Sequence, residues 1–255
     1  MDPYIKRKII KYQGASGKET EDSVAVEKKL RLFLNGKELI TLHCTPSMIP
    51  ELINCILLTE NIVSDKISPE SITLQINEGL SVYVSVAGDA VPEGMHFTRC
   101  LGGFTFSQGK SFRKIEDDFV LASENLKAIF QGFHQRSELF RLTGCFHSAA
   151  LSNGKSILAF AEDIGRHNAV DKVTGYALLN EIPFRGKLML VSCRISSEIV
   201  SKCARWEIPI VASRAAPTDL AVEIAEAAGM TLIGFVRGEN LNVYSNPQRI
   251  ARQTE

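Results

Sequence analysis

The apolar positions of this chain change period along its length. Over residues 22–43 they alternate loosely, with Leu30, Leu32 and Leu34 on one face and Asn35-Gly36 behind them as a hairpin turn. Thr45-Pro46-Ser47 then opens a helix predicted over residues 48–61, with Leu52, Cys55, Ile56 and Leu58 facing inward. Residues 71–76 and 80–86 read as two strands around Asn77-Glu78-Gly79. Residues 21–87 thus predict a small α+β N-terminal unit, preceded by a polar flexible arm over residues 1–20. Residues 88–115 carry Gly88, Gly94, Gly102, Gly103 and Gly109 with little periodicity, and read as a glycine-rich loop region holding Cys100. From 116 to 255 the pattern alternates. Helices are predicted over 123–140, 168–180, 196–206 and 217–228. Strands are predicted over 146–151, 156–161, 187–193, 209–213, 231–236 and 242–244. Ser123 is the expected N-cap of the first of these helices, and Thr143-Gly144 its stop. That order predicts a layered α/β domain with a largely parallel sheet.

Composition narrows the function. Hydrophobic residues make up 45% of the chain and charged residues 23%, enough to bury a core. Lys plus Arg and Asp plus Glu both number 29, so no basic excess supports sequence-independent nucleic-acid binding. Of the six cysteines no two form a CxxC pair, which argues against a disulfide scaffold. The basic start is followed by Tyr12-Gln13-Gly14 rather than an apolar run, unlike a signal peptide, and no stretch approaches the ~18 apolar residues of a membrane span. A cytoplasmic protein with reduced thiols is the expectation.

The chemistry concentrates in Glu162-Asp163-Ile164-Gly165-Arg166-His167-Asn168-Ala169-Val170-Asp171-Lys172-Val173-Thr174-Gly175. A predicted strand precedes it and a helix follows, with a turn at Gly165 and an N-cap expected at Asn168. Open α/β sheets bind ligands at that end of their strands. The competing reading is a solvated turn with surface ion pairs. Arg166, His167, Lys172, Arg194 and Arg214 each follow a predicted strand or lie at such a junction, as anion-binding candidates converging on one crevice. Cys100 has Arg99 beside it and Lys110 and Arg113 nearby, charges that favour a thiolate; a structural loop cysteine is the ordinary alternative. Cys145 is read as a buried small side chain, and Cys44, Cys55, Cys193 and Cys203 as core.

The stretch from Glu162 to Gly175 resembles the signature of the FdhD/NarQ family of formate dehydrogenase accessory sulfurtransferases. The resemblance continues through Ser192-Cys193-Arg194-Ile195-Ser196-Ser197-Glu198, Ala215-Ala216-Pro217-Thr218-Asp219 and Thr231-Leu232-Ile233-Gly234-Phe235-Val236-Arg237, and upstream through Leu34-Asn35-Gly36, Cys44-Thr45-Pro46 and Thr143-Gly144. It implies an α/β protein with a cytidine-deaminase-like C-terminal domain without zinc. It implies a sulfur carrier that takes sulfur from a cysteine desulfurase onto Cys100 as a persulfide. The sulfur passes to the molybdenum (or tungsten) cofactor, the bis-molybdopterin guanine dinucleotide form, bound as cargo and required by formate dehydrogenase. Phe235, Val236, Arg237, Gly238, Glu239 and Asn240, with Arg166 and His167, are the implied cofactor-binding residues, and a homodimer the implied assembly. The chain departs from the family pattern at Gly103, where relatives carry a second cysteine, and at Asn240, where many carry arginine. A zinc deaminase would need His-x-Glu with Pro-Cys-x-x-Cys, and a dinucleotide dehydrogenase Gly-x-Gly-x-x-Gly; the sequence has neither. A non-catalytic cofactor chaperone, for which Cys100 is dispensable, is the remaining alternative.

Overall fold

The structure is a computed structural model that describes residues 1–76, 79–86, 97–100, 103–106 and 113–251, with 97–100 and 103–106 described by backbone alone. Residues 1–20, expected as a flexible arm, carry regular structure. β1 (Tyr4–Gln13) and β2 (Ser16–Ala25) pair antiparallel over their whole length, with both faces largely exposed. β3 (Lys28–Leu34) and β4 (Lys37–Cys44) form the expected hairpin. Asn35 and Gly36 both take the positive φ, 47° and 80°, that a tight turn between twisted strands requires. Leu30, Leu32 and Leu34 are fully buried beneath α1 (Ile49–Thr59). β5 (Ile72–Ile76) and β6 (Leu80–Val84) complete a sheet in the order β4-β3-β6-β5. β7 (Phe97–Cys100) and β8 (Gly103–Phe106) pair as a separate hairpin, and β8 lies against a helix of the second unit.

That unit begins with β9 (Leu121–Ala122), α2 (Ser123–Gln135) and α3 (Glu138–Thr143). The single helix expected over 123–140 is broken at Arg136-Ser137, and Ala122 rather than Ser123 occupies the N-cap. β10 (His147–Ser152), β11 (Ile157–Asp163), α4 (Arg166–Leu179), β12 (Leu188–Val191), α5 (Ser197–Arg205), β13 (Ile210–Ser213), α6 (Asp219–Ala227), β14 (Thr231–Arg237) and β15 (Asn240–Ser245) follow. β16 (Ile250–Ala251) returns to pair with β9. The sheet order is β11-β10-β12-β13-β14-β15. Only β12, β13 and β14 run parallel; the expected largely parallel sheet is mixed, because short turns join β10 to β11 and β14 to β15. Alternation sends Ala149, Met189, Val191 and Val211 to the face covered by α4, α5 and α6. Ala150, Leu188, Leu190 and Ile210 go to the face covered by α2.

The two units meet where α1 crosses α4. Contact there is backbone to backbone: a Cβ on Gly175 would lie 1.8 Å from the Glu51 carbonyl oxygen. Only glycine allows that approach.

Candidate functional site

The carboxyl ends of β12, β13 and β14 carry Arg194, Arg214 and Arg237 to one edge of the large sheet. Antiparallel β10 and β11 bring His147 and the start of α4 to the same edge, where the Ser148 N–H donates to Ser192 Oγ at 2.9 Å. The anion-binding candidates other than Lys172 therefore share an edge, as the strand order required. Of them, Arg214 lines the groove described below, and Arg166, His167 and Arg194 do not.

The Glu162–Gly175 stretch divides into parts. Asp163 and Lys172 form an ion pair at 2.5 Å with both side chains fully buried. Thr45 closes around it: its N–H donates to Asp163 Oδ2 at 3.0 Å and its carbonyl accepts from Lys172 Nζ at 3.0 Å. Its hydroxyl accepts from the Ile164 N–H at 3.1 Å. Asn168 does not cap α4, since Gly165 holds that position. Its Nδ2 instead donates to the His43 carbonyl and to Asp163 Oδ1, both at 2.9 Å. Asp171 pairs with Lys202 and accepts from Cys55 Sγ at 3.4 Å. Glu162 accepts the backbone N–H groups of Leu139 and Phe140, at 3.0 and 2.9 Å, in the first turn of α3. Five of these residues are thus fasteners between elements. Lys172, an anion-binding candidate from sequence, is sealed inside the seam between the two units.

Burial sets the chemistry of the remaining parts. His167 is buried with Nε2 2.9 Å from Glu198 Oε2. Desolvation, then the charges of Lys202, Arg166 and His147, push its pKa down to about 3. The ring is therefore neutral at pH 7. Arg166 is half-buried, and its charge also depresses His147. Desolvation pushes the thiols of Cys44 and Cys203 up to about 12 and that of Cys193 to about 11, and raises Cys55 well above its ordinary value. The four are inert core cysteines, as read from sequence. Cys145 is a correction: it is exposed, because Gly144 ends α3 in a left-handed turn and leaves it outside the following strand. Cys100 closes β7 opposite Gly103, and its side chain lies outside the described residues.

A groove of about 770 Å³ opens between α2 and the end of β14. Lys127, Phe130, His134, Arg141, Arg214 and Arg237 line it, with Val236, Gly238 and Glu239. A bulge shapes its rim. The register of β14 against β15 slips between Gly234 and Arg237, and Phe235 adopts a left-handed φ of 53°. Strain of this kind concentrates at binding sites. Arg237 lies over the Phe235 ring at 5.4 Å and donates from Nε to the Arg214 carbonyl at 3.0 Å. Phe235 and Asn240 flank the groove without lining it, and Arg166 and His167 lie outside it. The groove thus gathers Arg141, Arg214 and Arg237, of which sequence reasoning had not found Arg141. Among the described residues no three His, Cys, Asp or Glu side chains converge as metal ligands, and no helix is long and apolar enough to cross a membrane.

A mixed α/β protein with a basic groove at the carboxyl edge of its sheet has the form of a ligand-binding protein of the open-sheet class. The chain belongs to the FdhD/NarQ family, whose model matches residues 25–251. It is 34% identical to the "Sulfur carrier protein FdhD" of Bacillus pumilus, over 98% of this chain and 99% of that protein. It is 35% identical to the protein of the same name in Bacillus subtilis, over 96% of each chain. Its fold is similar to the crystal structure of a candidate formate dehydrogenase accessory protein from Desulfotalea psychrophila. The TM-score is 0.78 at 28% identity, covering 98% of this chain and 100% of that one.

Proposed function

We propose that this protein is a cytoplasmic sulfur carrier that acts in the maturation of formate dehydrogenase. It takes sulfur from a cysteine desulfurase onto Cys100 and passes it to a bis-molybdopterin guanine dinucleotide cofactor. The observation that carries the reading is the end-to-end likeness to relatives named sulfur carrier protein. The basic groove supports the cargo half. Arginines suit the phosphates of a guanine dinucleotide arm, and the Phe235–Arg237 stack offers a flat surface beside them. A homodimer with a groove on each copy suits a two-armed cargo. The finer fold assignment is a cytidine-deaminase-like second unit without zinc.

In the loading step the Cys100 thiolate attacks the outer sulfur of the desulfurase persulfide. A new S–S bond forms at Cys100, the old one breaks, and its electron pair leaves with the desulfurase thiolate. Delivery of that sulfur as a sulfide ligand consumes two electrons from a thiol-class reductant. With Gly103 in place of a second cysteine, the reductant comes from outside the loop. Intact mass after incubation with a desulfurase and cysteine tests the reading. Cys100 gains about 32 Da per sulfur, reversed by reductant. Cys100→Ala abolishes both the gain and formate dehydrogenase activation. Full activation by the Ala variant would instead make the protein a cofactor chaperone.

A further inference from the structure

A second cavity, of about 390 Å³, opens at the opposite edge of the large sheet, where the chain enters β12 and β13. It shares no lining residue with the α2 groove. Its apolar wall is made by Phe184 and Trp206, with ring centroids 5.5 Å apart and planes inclined at 41°. Both rings are held. The Trp206 indole N–H donates to Thr59 Oγ1 at 3.0 Å, which fixes the orientation of the ring. Asp117 accepts the N–H groups of Gly186 and Phe119, both at 2.8 Å. Those bonds pin the loop that carries Phe184 and use up both oxygens of the carboxylate.

The other charges around this wall are of both signs and do not pair with one another. Glu116 and Glu207 stand with Arg185 and Arg205, all four exposed. Arg205 turns to Asn61 Oδ1, and Glu207 is approached by Arg113 at 3.8 Å, too far for a hydrogen bond. The side chains of Glu116 and Arg185 make no hydrogen bond or ion pair among the described residues. Arg249, buried behind Ile115 and Asp117, is satisfied by backbone carbonyls, and the neighbouring Lys114 and Asp118 offset each other. Neither sign dominates, so a ligand of net charge gains little, whereas a ligand with one charge of each sign finds a partner for both. We propose that this cavity binds a free α-amino acid with an apolar side chain. Its carboxylate meets the planar fork of Arg185, its ammonium meets Glu116 and Glu207, and its side chain lies on the Phe184 and Trp206 rings. The interior of a peptide carries neither terminal charge, and the volume is that of a small-ligand site.

Trp206 is the only tryptophan of the chain, so its emission reports on this cavity. The full chain is titrated at pH 7 with L-phenylalanine, with its N-acetyl derivative, which lacks the ammonium, and with L-phenylalaninol, which lacks the carboxylate; calorimetry runs alongside. Phenylalanine binds one to one, and each analogue binds at least about tenfold more weakly, having lost one charge-assisted contact. Arg185→Gln weakens phenylalanine about tenfold and removes its advantage over phenylalaninol while keeping its advantage over the N-acetyl derivative. The double change Glu116→Gln with Glu207→Gln does the converse. Arg237→Ala leaves phenylalanine binding unchanged. Analogues that bind as tightly as phenylalanine reduce the contact to ring stacking and overturn the assignment. An advantage over phenylalaninol that survives Arg185→Gln overturns it too, as does the absence of saturable binding up to roughly 10 mM. Loss of phenylalanine binding in Arg237→Ala moves the ligand to the α2 groove and overturns it as well.

Discussion

Gly175→Ala puts two rules in opposition. By helix propensity alone, alanine inside α4 stabilises by about 0.8–1 kcal/mol. The crossing with α1 reverses the sign. The new Cβ would stand 1.8 Å from the Glu51 carbonyl oxygen, whereas ordinary contact begins at 3.4 Å. Backbone lies on both sides, so no rotamer change relieves the clash and the helices must separate. Overpacking costs about 1–3 kcal/mol on its own. The separation also pulls on Thr45, whose groups satisfy the buried Asp163–Lys172 pair one turn away. Loosening a buried pair moves the total to about 3 kcal/mol or more. At about 2–4 °C per kcal/mol for a chain of this size, the thermal midpoint falls by roughly 6–12 °C. Thermal unfolding followed by circular dichroism reads it directly. A midpoint equal to or above that of the unmodified protein refutes the packing argument.

Asp163→Asn leaves Lys172 charged and buried, and costs about 3–5 kcal/mol in urea denaturation. The double change Asp163→Leu with Lys172→Met does not recover it, because Asp163 also accepts from the backbone of Thr45 and Gly165; full recovery would show that the pair acts alone. His167 has its pKa pushed from 6.5 down to about 3 in the fold, so the unfolded chain binds more protons below pH 6.5. Stability therefore falls as pH drops from about 6.5 toward 3, by at most about 1.4 kcal/mol per pH unit from this group. Burial lowers His134 and His147 too, which adds in the same direction; a slope between pH 5 and 7 unchanged in His167→Gln would remove His167 from the account. Arg237→Ala weakens GDP binding roughly ten- to a hundredfold, the loss of one charge-assisted contact of about 1.5–3 kcal/mol, while leaving sulfur loading of Cys100 intact. Calorimetry that finds equal GDP affinities takes Arg237 out of the groove's function.

Local patterns made much of the fold legible. Alternating leucines and an Asn-Gly turn identify β3 and β4, and the helical spacing after Gly165 identifies α4. The β1–β2 hairpin was missed for a physical reason: both its faces meet solvent, so no apolar alternation marks it. Strand direction was misjudged although both tight turns carry a hairpin signal, Asn153-Gly154 between β10 and β11 and Gly238 between β14 and β15; the alternation of strands and helices around them outweighed it. At the site, one edge collected the arginines as expected. The density of charge between Glu162 and Lys172 was read as ligand chemistry, whereas much of it is satisfied within the fold: Asp163 and Lys172 by each other and by Thr45, more than a hundred positions away, Asp171 by Lys202 and Cys55, and Glu162 by the α3 amides. No local signal carries such a partnership. Arg141 was missed in the same way, since it enters the groove from α3 only after the break at Arg136-Ser137.

The α1–α4 crossing also has a meaning in time. Thr45 meets Asp163 across 118 positions, so α1 leaves the ribosome long before the helix it rests on exists. At about 5–20 residues per second, that interval is roughly 6–24 s. One side of α1 is covered by its own sheet once β5 and β6 have followed it. The other, with Cys55, Leu58 and Thr59, stays bare until Gly175 arrives. During synthesis the nascent chain offers an apolar strip there, of fixed position and predictable lifetime. A holdase-type chaperone would meet this protein at that strip, and would lose its hold once α4 docks.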